Sequence, residues 1–144
     1  MNKVLNQLFC LTIFVLLSFV SGCKKDKDEV PYVFVDILLY TTDPAFSPLN
    51  AVSGYAYLNG YGSKGILIFR ESQTEFMAYD RHCPYKVQDE NSVTVDASGL
   101  IATDAACGSK FLITNGMPNS GPSSKALEPY RTSFDGTVLH ITNY

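Results

Sequence analysis

Two short stretches of the sequence decide the fold. Residues 78–85 read AYDRHCPY, and residues 104–111 read DAACGSKF. Each stretch places a cysteine among turn-forming residues beside a run with the composition of a β-strand, so each predicts a loop next to a strand. The two cysteines, Cys83 and Cys107, are therefore the first candidates for a functional site.

The rest of the chain beyond Pro31 has the pattern of an all-β domain. Apolar residues keep no helical period over several turns, and short β-rich runs alternate with Gly, Pro and Asn. We predict strands in these runs: residues 32–40, 51–58, 65–70, 75–79, 92–96, 110–114 and 137–142. We expect a hairpin turn at residues 72–73 and an irregular turn within residues 42–48. The spacing predicts an antiparallel sandwich or barrel of short strands over residues 31–144.

The two cysteine stretches, taken with GMPNSGP at residues 116–122, resemble the Rieske iron–sulfur domain. In that family one loop carries C-x-H, a second carries C-x-x-H-G-S-x-F, and a third Gly-Pro loop covers the cluster. The most specific parts of the resemblance are Gly108-Ser109-x-Phe111 and Gly121-Pro122, and it runs from about residue 60 to residue 141. It implies a Rieske-like (ISP-domain) fold, with the cysteine loops side by side at one end and the Gly121-Pro122 loop against them.

The residues at the family's ligand positions differ from the family's own set. Cys83 and Tyr85 stand where C-x-H belongs, and Asp104 and Cys107 stand where C-x-x-H belongs. A Rieske centre uses two thiolates on one iron and two imidazoles on the other. His82 precedes Cys83, and it reaches the same site only if the loop is re-routed.

Three interpretations of these loops stay open at the level of sequence. In the first, the domain has lost its cluster and binds no cofactor, which is the interpretation that we favour. In the second, Cys83 and Cys107 bind a metal centre together with some of Asp104, Tyr85 and His82. That centre is either zinc held by Cys, Cys, Asp and His or a [2Fe–2S] cluster, which is disfavoured because the cluster prefers thiolate ligands. In the third, Cys83 and Cys107 form a disulfide, which adjacent loops and an exported compartment permit.

The N-terminal segment predicts export and attachment to lipid. Residues 8–20 form an uncharged run of 13 residues, which is too short for a spanning helix and fits the apolar region of a secretory signal. The run leads to Val20-Ser21-Gly22-Cys23, which resembles the bacterial lipobox. This resemblance implies that residues 1–22 are removed and that acylated Cys23 anchors the protein in the lipid bilayer.

Residues 23–30 are expected to form a lipidated, charged tether. Six consecutive charged residues at 24–29 favour a solvated spacer. Lys24 follows Cys23, so the usual inner-membrane retention signal is missing, and we expect an outer-membrane lipoprotein of the bacterial cell envelope. Lysine followed by acidic residues also resembles the surface-export signal of some such lipoproteins, so exposure at the cell surface is a further expectation.

Composition and the remaining motifs narrow the function classes. The chain has 144 residues, is 46% hydrophobic and 17% charged, and carries a formal net charge of −3. This is one domain that is not disordered, and its acidity does not favour a nucleic-acid partner. The G-x-G-x-x-G pattern at residues 60–65 precedes a predicted strand, so it indicates a glycine-rich turn and no dinucleotide site. No nucleophile elbow or His-Asp-Ser set stands out, so we do not expect an enzyme.

The function expected from the sequence is therefore that of a membrane-anchored lipoprotein. Its Rieske-like domain has lost the standard [2Fe–2S] cluster and acts as a non-catalytic accessory or binding domain. The alternative is an electron carrier, or a component of an oxidoreductase, with a [2Fe–2S] or other metal centre in the same loops. The tyrosine-rich residues 55–61 are a candidate contact surface for an envelope protein. His140 is expected on the surface, opposite Leu139 and Ile141, with no assigned role.

Overall fold

A computed structural model describes residues 29–144. The signal peptide, Cys23 and most of the tether that the sequence predicts lie outside the described residues. Ten strands make up the fold: β1 (Asp36–Tyr40), β2 (Tyr55–Leu58), β3 (Ile66–Arg70), β4 (Phe76–Asp80), β5 (Thr94–Val95), β6 (Ile101–Thr103), β7 (Lys110–Leu112), β8 (Pro118–Ser120), β9 (Pro129–Phe134) and β10 (Val138–Thr142). Two short 3₁₀ segments accompany them, Pro44–Asn50 and Val87–Asp89. The prediction of an all-β fold is confirmed.

The strands form two antiparallel sheets. The larger sheet has six strands in the order β1-β10-β9-β4-β3-β2, and the smaller has four in the order β5-β6-β7-β8. Every paired strand runs antiparallel to its neighbour. Within the described range, no helix is long and apolar enough to cross a membrane.

β3 separates two hydrophobic cores. Ile66 and Ile68 pack into one cluster with β1 and β10, whereas Leu67 and Phe69 pack into the other with the smaller sheet. Successive side chains of a strand point to opposite faces, so a strand between two layers is apolar at every position. This accounts for the continuous run that begins β3, whose five residues are all buried.

The predicted strands are present, mostly shortened at their ends, and three further strands were not predicted. The additional strands are β6, β8 and β9. The irregular turn expected within residues 42–48 is instead a 3₁₀ segment over Pro44–Asn50, in which the Asp43 carboxylate accepts a hydrogen bond from the Ala45 N–H at 2.9 Å. The glycine-rich residues 60–65 form the turn between β2 and β3, as predicted.

Candidate functional site: a buried cysteine pair

The two cysteine loops lie side by side. The first cysteine loop (residues 81–86) follows β4, and the second cysteine loop (residues 104–109) joins β6 to β7. The Sγ atoms of Cys83 and Cys107 are 3.9 Å apart. Cys83 is fully buried, and Cys107 is half-buried. Only Cys107 is therefore open to a reagent from solvent.

The carboxylate of Asp104 is the third group of the site. It is 1% exposed, and its Oδ1 accepts hydrogen bonds from the backbone N–H groups of Ala106 at 2.8 Å and Cys107 at 3.4 Å. Its Oδ2 accepts from the Cys107 thiol at 3.1 Å. One sulfur each from Cys83 and Cys107 and one oxygen of Asp104 thus lie within 4.8 Å of one another. We refer to these three residues as the cysteine cluster.

The loop at Gly121 and Pro122 covers the second cysteine loop. A Cβ atom at Gly121 would lie 2.6 Å from the carbonyl oxygen of Gly108 and 2.6 Å from Cα of Ser109, so only glycine fits. The Ser109 hydroxyl accepts from the Ser123 N–H at 3.1 Å and lies 3.0 Å from the Cys107 sulfur. The resemblance to the Rieske domain implied a Gly-Pro loop in this position.

The other two candidate residues lie outside the cysteine cluster. The buried His82 imidazole has Nε2 2.9 Å from the Val87 carbonyl oxygen and Nδ1 2.7 Å from the Ser63 hydroxyl. A carbonyl oxygen only accepts, so Nε2 donates, and in a neutral imidazole Nδ1 then accepts from the Ser63 hydroxyl. Tyr85 packs against the hydrophobic cluster between β3 and the smaller sheet. The zinc set of Cys, Cys, Asp and His is therefore not assembled in this arrangement, because both His82 nitrogens are already bonded elsewhere.

The electrostatics of the cysteine cluster favour a protonated thiol beside an ionised carboxylate. Burial raises the pKa of Cys83 well above its usual range, and its hydrogen bond to Asp104 adds to this. Burial also opposes ionisation of Asp104, but hydrogen bonds from both thiols and from two backbone N–H groups outweigh it and lower the pKa of Asp104. A nucleophilic cysteine needs a thiolate at neutral pH, so this geometry does not favour a catalytic role for Cys83.

These donors differ from those of a Rieske centre. Such a centre is held by four ligands, two thiolates and two imidazoles, around two irons. Two thiols and one carboxylate converge on a single point here, and the chain's two histidines are engaged elsewhere, His82 as above and His140 with Asp36 at 2.7 Å. The residues present do not fit the [2Fe–2S] group.

A second buried carboxylate, which sequence reasoning missed, orients the first cysteine loop. Asp80 ends β4 and is 1% exposed. It accepts hydrogen bonds from the Tyr130 hydroxyl at 2.8 Å, from the His82 N–H at 2.8 Å and from the N–H groups of Ser63 and Lys64. The sequence does contain a signal for this contact: an aspartate ends an apolar strand, and the chain also has a glycine-rich turn. The backbone N–H groups of such a turn can form a concavity that binds an anionic group.

The tyrosine-rich residues 55–61 are divided between packing and exposure. The Tyr57 hydroxyl accepts from the Val95 N–H at 2.7 Å, and the Arg81 guanidinium lies 4.3 Å from the centre of the Tyr57 ring. Tyr55 packs edge-on against Tyr57, with ring centres 5.7 Å apart. Tyr61 is 46% exposed. Of the three tyrosines in this segment, Tyr61 is therefore the main candidate for contact with a partner protein.

Comparisons with known proteins add little to this picture. No family model matches the chain, and no curated protein matches it. Among solved structures, the chain is similar to one described as "Complex of reduced oxygenase and oxidized ferredoxin in carbazole 1,9a-dioxygenase", with 21% identity and a TM-score of 0.46. The match covers 63% of this chain and 82% of that chain. Because the identity and the TM-score are low, this similarity assigns no function to the chain.

Proposed function

We propose that this protein is a lipid-anchored, non-catalytic accessory domain of the bacterial outer membrane that carries no [2Fe–2S] cluster. The observation that supports the loss of the cluster is the donor set: two thiols with sulfurs 3.9 Å apart, one carboxylate and no imidazole. The anchor rests on the lipobox-like residues 20–23 and the charged tether that follows them.

In an exported protein, the cysteine pair closes to a disulfide. The half-buried Cys107 reacts first with an exported dithiol–disulfide oxidant, and Cys83, which must give up its proton in order to attack, then displaces that oxidant from the mixed disulfide. The two thiols lose two protons and two electrons, which pass to the oxidant. The bond joins the two cysteine loops and stabilises the fold by about 3 kcal/mol in the loop-entropy picture. The loops then serve as a rigid surface for an envelope partner.

Metal analysis of the mature protein tests the absence of the cluster. Protein purified aerobically, and a second preparation made anaerobically, should be colourless. After reduction, both should lack the low-temperature EPR signal of a [2Fe–2S] centre, because the required imidazoles are absent. Iron and sulfide at two each per chain would overturn the proposal and restore the electron-transfer alternative. Zinc at one per chain, with both thiols free, would show that the cysteines hold a mononuclear metal site and form no disulfide.

Fractionation of a Cys23→Ser variant tests the anchor. The variant should lose acylation and leave the membrane fraction, because the lipid chains supply the attachment. A matched Cys10→Ser variant changes a cysteine within the predicted signal segment and should be processed and anchored normally. Normal processing and membrane retention of Cys23→Ser would contradict the lipobox interpretation.

A further inference from the structure

An exposed apolar surface follows the edge of the larger sheet. From residue 34 to residue 40 exposed and buried positions alternate strictly. Ile37 and Leu39 enter the core, whereas Leu38 and Tyr40 are 64% and 59% exposed. Since β1 pairs only with β10 in its sheet, this surface lies at an open edge of the described domain.

Aromatic side chains extend this surface towards the two ends of the described chain. The Phe34 ring, 64% exposed, stacks on the Tyr144 ring, 59% exposed, with centres 5.7 Å apart and planes within 10° of parallel. Tyr32 is 71% exposed. We call the following five residues the aromatic edge patch: Tyr32, Phe34, Leu38, Tyr40 and Tyr144.

The charged groups within this surface are paired. The Asp36 carboxylate lies 2.7 Å from Nε2 of His140 and accepts a hydrogen bond from the Tyr144 hydroxyl at 3.2 Å. Arg131, on the neighbouring β9, donates to the Tyr144 carbonyl oxygen at 2.9 Å. The patch therefore offers apolar rings with polar tips, and the acidic side chain within it, Asp36, has partners, whereas Glu29 and Glu128 line the cleft beside Tyr32 at its margin.

The position of the patch in the chain indicates what covers it. It begins at Tyr32, nine residues after Cys23, and nine extended residues span about 30 Å at most. An acylated Cys23 would hold the patch within that reach of the bilayer, so docking becomes an intramolecular event at high effective concentration. Tyrosine, with an apolar ring and a polar hydroxyl, is enriched at membrane–water interfaces.

We propose that the aromatic edge patch docks on the phospholipid bilayer that holds the acylated Cys23 and thereby orients the domain on the membrane. This inference rests on the proposed lipid anchor. The rings lie at the boundary between the headgroups and the acyl chains. The opposite edge of the sheet, at β2, lies five strand spacings away, or about 24 Å along the sheet.

Tyrosine iodination with a water-soluble peroxidase tests this docking on the acylated full-length protein in phosphatidylethanolamine–phosphatidylglycerol vesicles. Tyr32, Tyr40 and Tyr144 should be iodinated several-fold less than in the soluble Cys23→Ser protein, as read by peptide mass spectrometry. Tyr61, 46% exposed in the turn after β2, is the internal control and should be iodinated equally in both.

A double variant, Phe34→Ser with Leu38→Ser, should restore iodination of Tyr40 and Tyr144 in vesicles. The matched control is Val52→Ser with Leu100→Ser, which removes two exposed apolar side chains outside the patch and should leave the protection unchanged.

The remaining outcomes separate the two proposals. Protein that sediments with vesicles but shows full iodination of the patch overturns docking and leaves the anchor intact. Acylation-competent protein that does not sediment overturns the anchor and, with it, the docking that depends on it. Protection that arises in the soluble Cys23→Ser protein and grows with protein concentration shows that a second copy covers the patch, which also overturns docking on lipid.

Discussion

At the scale of single residues, two buried carboxylates organise the two cysteine loops. Asp80 gathers three backbone N–H groups and the Tyr130 hydroxyl, and Asp104 accepts from two backbone N–H groups and faces both thiols. A buried carboxylate is tolerated only when its oxygens accept several hydrogen bonds. Each aspartate therefore fixes the backbone around it, and this brings Cys83 and Cys107 together.

Tyr130→Phe tests the contribution of the Asp80 network. Removal of the hydroxyl leaves the buried carboxylate one donor short, and a hydrogen bond to a charged group contributes about 1.5–3 kcal/mol. We expect urea denaturation to show a free energy of unfolding lower by that amount. Tyr61→Phe is the control, because Tyr61 is exposed, and it should change stability by less than about 0.5 kcal/mol. Equal stability of Tyr130→Phe and the wild type would show that the hydroxyl adds nothing to the network.

The candidate site could be predicted from sequence only in part. The motif spacing placed Cys83, Asp104 and Cys107 in adjacent loops, and the structure brings these three together. The sequence also placed His82 in the site only if the loop were re-routed, but it could not identify Ser63 and Val87 as the partners that hold the imidazole elsewhere. Contacts of this kind, between a loop and a distant turn, leave no pattern in the local sequence.

At the scale of elements, the strands that were missed are either only three residues long, as β6 and β8 are, or begin at a proline, as β9 does. β9 begins at Pro129 and contains Arg131 and Ser133, which point outward. A proline in a sequence argues against a central strand. β9 nevertheless lies between β4 and β10, and Pro129 pairs with Tyr79 in the register. β3 was predictable because burial on both faces demands a continuous apolar run.

Gly121→Ala tests the packing of the Gly-Pro loop on the second cysteine loop. Gly121 has φ +91°, and its added Cβ would meet backbone atoms at 2.6 Å, so the loop must shift. We expect a loss of about 2 kcal/mol or more, from left-handed strain together with the clash. Urea denaturation at neutral pH measures it.

The matched control is Gly99→Ala. Gly99 has φ +74° and no heavy atom within 4 Å of its added Cβ, so this substitution adds strain of about 1–2 kcal/mol without a clash. Equal losses in the two variants would mean that the Gly-Pro loop yields freely and does not hold the second cysteine loop in place.

At the scale of the whole molecule, two buried tyrosines that the fold holds protonated make stability depend on pH in the alkaline range. Burial, together with Glu71, raises the pKa of Tyr79 from 10.0 to about 12, and burial and Asp80 raise the pKa of Tyr130 further above its usual value. Groups with raised folded-state pKa values contribute stability that is complete below the unfolded-state pKa and is lost as the pH rises towards the folded-state pKa.

We therefore expect the free energy of unfolding to fall progressively above about pH 10. Urea denaturation of the oxidised protein between pH 7 and pH 11 measures this, since a disulfide removes Cys83 from the titration. Tyr130→Phe should show a shallower decline because one raised tyrosine is gone. A decline in that variant as steep as in the wild type would show that other groups cause the loss of stability at alkaline pH.

We propose that the two adjacent loops hold a bonded cysteine pair in place of an iron–sulfur cluster. Intact mass of the aerobically purified mature protein after denaturation and alkylation without reductant tests it most directly. We expect no alkyl group on Cys83 or Cys107, and two added alkyl groups once a reductant precedes alkylation. A Cys107→Ser variant should show one alkyl group on Cys83 without reductant. Two alkyl groups on the unreduced wild type, with stoichiometric iron and sulfide in the native protein, would show that the loops hold a cluster and no disulfide.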